Sequence, residues 1–166
     1  MRFLPSAATL LMLLVPFHPA FASEDDGAIQ HSPVANALPL VVVNRNASCG
    51  CCLKWVAHLR EAGFKVDVHD VQDMRAVKSR AGVPDSMRSC HTAEVDGYFV
   101  EGHVPAEDIK RLLAERPDAR GLAVPGMPLG SPGMEVPDGT VIPYDVILVG
   151  DDGNRVHSSH GKAATL

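Results

Sequence analysis

The sequence predicts a mixed α/β domain in which a βαβ unit is followed by a helix, a β-hairpin and a further helix. A continuous apolar run at 40–43, bounded by Pro39 and Asn44, is typical of a central strand buried on both faces. A helical apolar repeat follows this run, and an alternating pattern follows the helix. Because a strand, helix and strand of this length form a βαβ unit, we expect the first two strands to be parallel.

The first helix is predicted over residues 52–62. Trp55 and Leu59 recur at helical spacing, and Gly63 is a natural C-terminal stop. Residues 64–69 then alternate between apolar and polar side chains, which predicts the second strand. The helix is therefore expected to cross from one strand to its parallel neighbour.

A second helix and a hairpin are predicted next. Asp70 is a suitable N-cap for the helix, and Gly82 is a suitable stop. Residues 90–95 and 98–103 read as two strands, and Asp96-Gly97 between them is a preferred tight-turn pair. These two strands are therefore expected to be antiparallel neighbours.

The rest of the chain supplies the third helix, a loop and a last hairpin. Pro105 is placed to open the helix and Pro117 to end it, which completes a βαβ-α-ββα order typical of thioredoxin-like domains. Residues 121–139 are rich in Gly, Pro and Met and are predicted to form a loop. Residues 144–149 and 155–157 read as a C-terminal β-hairpin.

The N-terminus predicts export. Arg2 precedes a short apolar core at 7–15 and a small-x-small cleavage site at 20–22, which together indicate a signal peptide. The alternative is a membrane anchor, for which the apolar core is short. In a Gram-negative bacterium the mature protein would be periplasmic. The predicted segments are a signal peptide at 1–22, a flexible leader at 23–38, the folded domain at 39–157 and a tail at 158–166.

The charge balance argues against some classes of partner. The chain has 15 basic and 20 acidic residues, a formal net charge of −5, and no basic run. Nucleic acid is therefore not expected as a partner, and neither is a membrane after the signal peptide has been cleaved.

The cluster Cys49-Gly50-Cys51-Cys52 carries the chemical signal of the chain. It lies where a strand ends and a helix begins, and a helix N-terminus favours the thiolate form of cysteine. Cys49 and Cys52 have the C-x-x-C spacing of redox sites. Cys51 departs from that motif, in which the residues between the two cysteines are normally not thiols. Three thiols within one turn can instead share soft metal ions. A structural disulfide is the third alternative.

The remaining candidate ligands come from later segments. In the predicted fold Cys90 faces the cysteine turn, whereas His91 shares that face only if the strand has not yet begun. His103 is either a ligand or partner in the site, or a capping or loop histidine. Met127 and Met134 carry thioethers, which suit Cu(I) but not Zn(II), although methionine often fills apolar gaps instead.

Five motifs occur in a fixed order along the chain. They are Cys49-Gly50-Cys51-Cys52, Ser89-Cys90-His91-Thr92-Ala93, Gly97-Tyr98, Glu101-Gly102-His103-Val104-Pro105 and the Gly/Pro/Met-rich run at 121–135. Together they resemble the CopG-type copper-resistance proteins, a thioredoxin-like family formerly described as a domain of unknown function. The resemblance covers about residues 39–150 and implies a periplasmic protein of copper tolerance whose cysteines bind copper. Its implied partners are copper ions and other periplasmic copper-handling proteins.

The sequence therefore predicts a periplasmic copper-binding protein that holds Cu(I) in a multi-cysteine site. No catalytic residue is assigned. The alternative is a thiol–disulfide or copper oxidoreductase that uses Cys49 and Cys52, and a structural zinc domain is a weaker third reading. The predicted metal ligands are Cys49, Cys51, Cys52, Cys90, His91, His103, Met127 and Met134.

Overall fold

The computed structural model describes residues 37–161. The predicted signal peptide, nearly all of the leader and the last five residues lie outside this range. None of the helices within the described part has the length and apolar character that a bilayer span requires. The elements in chain order are β1 (Val41–Arg45), α1 (Gly50–Glu61), β2 (Val66–Asp70), α2 (Met74–Arg80), a 3₁₀ turn (Asp85–Met87), β3 (Thr92–Val95), β4 (Tyr98–Glu101), α3 (Ala106–Glu115), β5 (Gly121–Ala123), β6 (Tyr144–Gly150) and β7 (Gly153–His160).

The strands form one seven-stranded mixed sheet in the order β2-β1-β3-β4-β5-β6-β7. Strands β1 and β2 are parallel, with Val41 opposite Val66. Strands β3 and β4 form the predicted antiparallel hairpin around Asp96-Gly97, and β6 and β7 form the predicted last hairpin. The α/β class, the βαβ unit and both hairpins are therefore confirmed.

Strand β5 was not predicted, because its residues were assigned to the Gly/Pro/Met-rich loop. It runs parallel to β4 and antiparallel to β6, and so joins the first four strands to the last hairpin. Three residues between polar and Gly/Pro-rich segments give too short a pattern to recognise. A side chain on Gly121 would collide with the backbone of Phe99, so the glycine permits this close pairing.

Two further element boundaries differ from the prediction. The N-cap of α2 is Asp73, whose carboxylate accepts a hydrogen bond from Ala76 N at 3.0 Å. Asp70 instead ends β2 and forms an ion pair with Arg45 at 2.8 Å. Strand β7 continues to His160, so the first residues of the predicted tail belong to the sheet.

The main core lies between one face of the sheet and helices α1 and α3. Trp55 and Leu59 of α1 and Ile109 and Leu112 of α3 are fully buried in it, against strand residues such as Val43. The apolar side of α1 is thereby held on the sheet. As a result, the N-terminus of α1 is fixed at the end of β1, where the cysteine cluster lies.

Candidate metal centre

The loop between β1 and α1 is fixed by Arg45, a buried side chain at the end of β1. Its Nη1 donates hydrogen bonds to the carbonyls of Cys49 at 3.0 Å and Ala47 at 3.3 Å, and its Nη2 pairs with Asp70. Cys49 N also donates to Asn46 O at 2.9 Å. The cysteine turn is therefore held by β1 and β2 as well as by its own helix.

Four cysteine sulfurs meet at this turn. Cys49 and Cys52 form a disulfide, and Cys51 and Cys90 are free. The Cys49 and Cys51 sulfurs are 3.5 Å apart, and all four Sγ atoms lie within 4.8 Å of one another. The predicted placement of Cys90 beside the turn is confirmed. The described state nevertheless offers two free thiols instead of the four expected, because the C-x-x-C pair is oxidised.

Cys90 also belongs to a second group, formed with two histidines. Its sulfur lies 3.2 Å from His91 Nδ1 and 3.1 Å from His103 Nε2. The ligand atoms of these three residues lie within 4.8 Å of one another. His91 can face the same way as Cys90 because β3 begins only at Thr92, so the alternation of a strand does not yet apply. Cys90 is thus common to a four-sulfur group and a Cys-His-His group.

The orientation of His103 is fixed by the glycine- and proline-rich loop. Its Nδ1 donates to the Pro132 carbonyl at 2.8 Å, which leaves the Nε2 lone pair directed at Cys90. Burial lowers the pKa of His103, so the ring is neutral at neutral pH. His103 lies in the loop between β4 and α3, as the second alternative expected, but its side chain is buried beside the cysteines, and its assignment as a ligand stays a prediction.

His91 is fully buried between aromatic rings. Its ring centre lies 4.3 Å from that of Trp55 and 5.0 Å from that of His103. Within residues 37–161 its Nε2 makes no hydrogen bond of normal geometry. Leaving a buried polar atom unpaired costs about 1–3 kcal/mol. The unpaired atom is Nε2, whereas the nitrogen that faces Cys90 is Nδ1, so the contact with the sulfur leaves the cost at Nε2 in place.

The glycine- and proline-rich loop covers the cysteine turn. Gly133 has φ +84, and a side chain there would lie 2.8 Å from both Cys51 O and Trp55 N. The Ser89 hydroxyl donates to Gly126 O, which anchors the other end of the loop beside Cys90. Within the loop Met127 is exposed and Met134 is half-buried. Their assignment as copper ligands stays a prediction.

A buried ion pair behind Cys90 was not predicted. Lys78 Nζ lies 2.6 Å from Glu101 Oε1 and donates to Thr92 Oγ1 at 3.1 Å, and Thr92 Oγ1 donates to Glu101 Oε2 at 2.7 Å. Glu101 Oε1 also accepts from Ser89 N at 2.5 Å, so the carboxylate holds the residue before Cys90. Lysine and glutamate in amphipathic segments normally read as surface residues, so the sequence carries no signal for this pair.

The protonation of Cys90 determines what the site can bind. Burial and the neighbouring Cys51 raise the pKa of Cys90 to about 11, so it is a neutral thiol at neutral pH. A soft metal ion binds the thiolate, so loading would release a proton from Cys90.

Known proteins that are similar to this chain identify its family. Residues 87–134 match a family described as a protein of unknown function, DUF411. No curated protein matches the chain. A solved structure of the copper resistance protein CopG, Form 1, is 52% identical, covers 75% of this chain and 99% of its own, and has a TM-score of 0.71. The Form 2 structure of the same protein is also 52% identical, covers 74% of this chain and 98% of its own, and has a TM-score of 0.70. The chain therefore belongs to the family of the copper resistance protein CopG.

Proposed function

We propose that this protein is a periplasmic copper-binding protein of copper resistance, with a thioredoxin-like core that holds Cu(I) in its cysteine centre. The observation that carries the proposal is the meeting of four cysteine sulfurs within 4.8 Å, together with two imidazoles at Cys90. Thiolates and imidazoles form a donor set that suits Cu(I). The match to solved CopG structures supports the tie to copper resistance.

In this proposal the state of the Cys49–Cys52 disulfide sets how many cysteine thiols are free to bind Cu(I). Full loading requires the Cys49–Cys52 bond to accept two electrons and two protons, which gives two thiols. The oxidised centre retains only Cys51, Cys90 and the two histidines as free ligands. Met127 and Met134 are proposed as further soft ligands from the covering loop. Periplasmic copper-handling proteins are the proposed partners for delivery and removal.

Metal competition in the anaerobically reduced protein tests this function. We expect Cu(I) to be bound far more tightly than Zn(II), because thiolates, with or without thioethers, prefer the softer ion. Titration against a Cu(I) chelator, with and without zinc, measures the preference. Protein that retains zinc as well as or better than copper would instead support a structural zinc domain.

A thiol–disulfide or copper oxidoreductase is the second candidate, and the Cys49–Cys52 disulfide is the observation that favours it. In one route, the reduced pair would give one electron to each of two Cu(II) ions. The products would be two Cu(I) ions, two protons and the Cys49–Cys52 disulfide that the structure shows. Such exchange needs only the attacking and resolving thiols, so Cys51 would be dispensable.

The two candidates differ in their prediction for Cys51→Ser. A copper centre loses a ligand with Cys51, so Cys51→Ser should lower bound Cu(I) and copper tolerance about as much as Cys49→Ser does. A dithiol catalyst should tolerate Cys51→Ser and fail with Cys49→Ser. Copper stoichiometry and growth in copper are measured for both variants side by side. Normal binding and tolerance in Cys51→Ser alone would favour the oxidoreductase.

A further inference from the structure

A second group of metal-binding side chains lies outside the cysteine centre. It consists of Asp108 in the first turn of α3 and of His157 and His160 near the end of β7. The side chains of Asp108 and His157 are 7% and 5% exposed, and that of His160 is 33% exposed. The group is therefore mostly buried but can be reached from solvent through His160.

A β-bulge directs both histidines to Asp108. Residues three apart on a regular strand point to opposite faces of the sheet. Here Ser158 pairs with Val146 while Val156 pairs with Ile147, so His157 is an extra residue without a partner in the register. A bulge redirects the side chain at which it occurs. As a result, both His157 and His160 reach Asp108.

Both histidines contact the same carboxylate, each at one of its two oxygens. His160 Nε2 lies 2.8 Å from Asp108 Oδ2, and His157 Nε2 lies 3.8 Å from Asp108 Oδ1. Ligands at about 2.0–2.2 Å from a tetrahedral ion are roughly 3.3–3.6 Å apart, which falls between these values. The His160 ring is held by stacking on Tyr144 at 5.1 Å, and Ser158 Oγ lies 2.9 Å from its Nε2.

Arg111 already places a positive charge in this group. Its Nε donates to His157 Nε2 at 3.0 Å, and its Nη2 lies 3.6 Å from Asp108 Oδ1. Because arginine can only donate, His157 Nε2 is unprotonated and offers a lone pair. The Arg111 side chain is 42% exposed, so it can turn into solvent when another cation takes its place.

We propose that Asp108, His157 and His160 form a second metal site, which takes a divalent cation and prefers Cu(II), and which Arg111 occupies when the metal is absent. Two imidazoles and a carboxylate suit Cu(II) and Zn(II), and the general order of affinities places Cu(II) above Zn(II). The site would therefore hold the oxidised form of copper, whereas the thiolate centre suits the reduced form.

The test uses the full folded domain with the Cys49–Cys52 disulfide intact and with Cys51 and Cys90 alkylated, so that thiols do not reduce Cu(II). Cu(II) is titrated and followed by electron paramagnetic resonance and by calorimetry. We expect the double variant His157→Gln/His160→Gln to lose one equivalent of Cu(II) or to bind it at least about 100-fold more weakly, since loss of an outer-shell partner alone costs 10–100-fold. The parent should show imidazole nitrogen couplings that the variant lacks.

The matched control is His69→Gln. His69 pairs with Asp67 at 3.0 Å on the surface of β2, but it has no second histidine in that contact. This variant should bind as much Cu(II) as the parent. Equal binding by the parent and the double variant would overturn the proposal, because any remaining copper would then be held elsewhere, for example by His91 and His103.

Arg111→Met keeps the proposal testable if the double variant does not fold. Removing the competing cation should raise the affinity for Cu(II) by about fivefold or more, the factor that corresponds to the repulsion of two unit charges about 4 Å apart in water. A purely structural role for the group predicts the opposite, since loss of Arg111 would then only loosen Asp108 and His157. Unchanged or weaker Cu(II) binding in Arg111→Met would refute the site.

Discussion

The buried pair of Lys78 and Glu101 gives a prediction about stability, through the variant Lys78→Met. The side chains are 7% and 0% exposed, and their charged atoms are 2.6 Å apart. At an effective dielectric constant of about 20, the attraction at this distance is roughly 6 kcal/mol, most of which offsets the cost of removing both charges from water. Removing only the lysine leaves that cost on Glu101 without compensation.

We therefore expect Lys78→Met to lower the free energy of unfolding by about 3–5 kcal/mol, the range for breaking one partner of a buried pair. Urea denaturation can be followed by the fluorescence of Trp55, the single tryptophan of the chain. Adding Glu101→Gln to Lys78→Met should restore part of the loss, because no buried charge is then left unpaired.

The matched control is Lys110→Met. Lys110 pairs with Glu107 at 2.8 Å, but these side chains are 33% and 80% exposed. An exposed pair contributes about 0–1 kcal/mol, so this variant should change the free energy of unfolding by less than that. A loss in Lys78→Met no larger than in Lys110→Met would refute the electrostatic reasoning. If Lys78→Met/Glu101→Gln is no more stable than Lys78→Met, the loss of stability comes from packing and not from an unpaired charge.

Two further predictions concern the covering loop and pH. Gly133→Ala should destabilise the fold and weaken Cu(I) binding, because the new methyl group would collide with Cys51 O. The control is Gly126→Ala, where φ is +73 and a methyl group would meet nothing within 4 Å, so only the backbone cost of about 1–2 kcal/mol applies. Equal effects of the two variants in denaturation and in Cu(I) titration would contradict this prediction. Burial lowers the pKa of His58, His91 and His103, so the unfolded chain binds more protons below about pH 6.5. Stability should therefore be full above that pH and fall as the pH drops through it, and denaturation from pH 7 to 5 that shows no loss would be inconsistent with these shifts.

Local patterns were enough to predict the elements that position the cysteine centre. The apolar run of β1, the repeat of Trp55 and Leu59 and the Asp96-Gly97 turn each report on their own segment, and the βαβ rule then fixes how the segments pair. Cys90 could be placed beside the turn because the fold order brings the start of β3 to the N-terminus of α1. This inference needed topology but no side-chain detail.

The features that were missed depend on contacts between distant residues. The pairing of β5 is decided by its neighbours β4 and β6 and not by its own three residues. Lys78 and Glu101 look like surface residues until the fold places them together. The orientation of His157 depends on a one-residue bulge in the register between β6 and β7, which no local pattern reveals.

Cys90 is the residue on which both ligand groups of the cysteine centre depend. Its sulfur belongs to the four-sulfur group and to the group with His91 and His103. A metal ion held in each group would have to share this one sulfur, which a thiolate can do by bridging. Neighbouring residues fix the surroundings of Cys90: Glu101 accepts a hydrogen bond from the backbone of Ser89, and Pro132 orients His103 toward the sulfur. Because its pKa is about 11, Cys90 would have to lose its proton before it could serve as a bridging ligand.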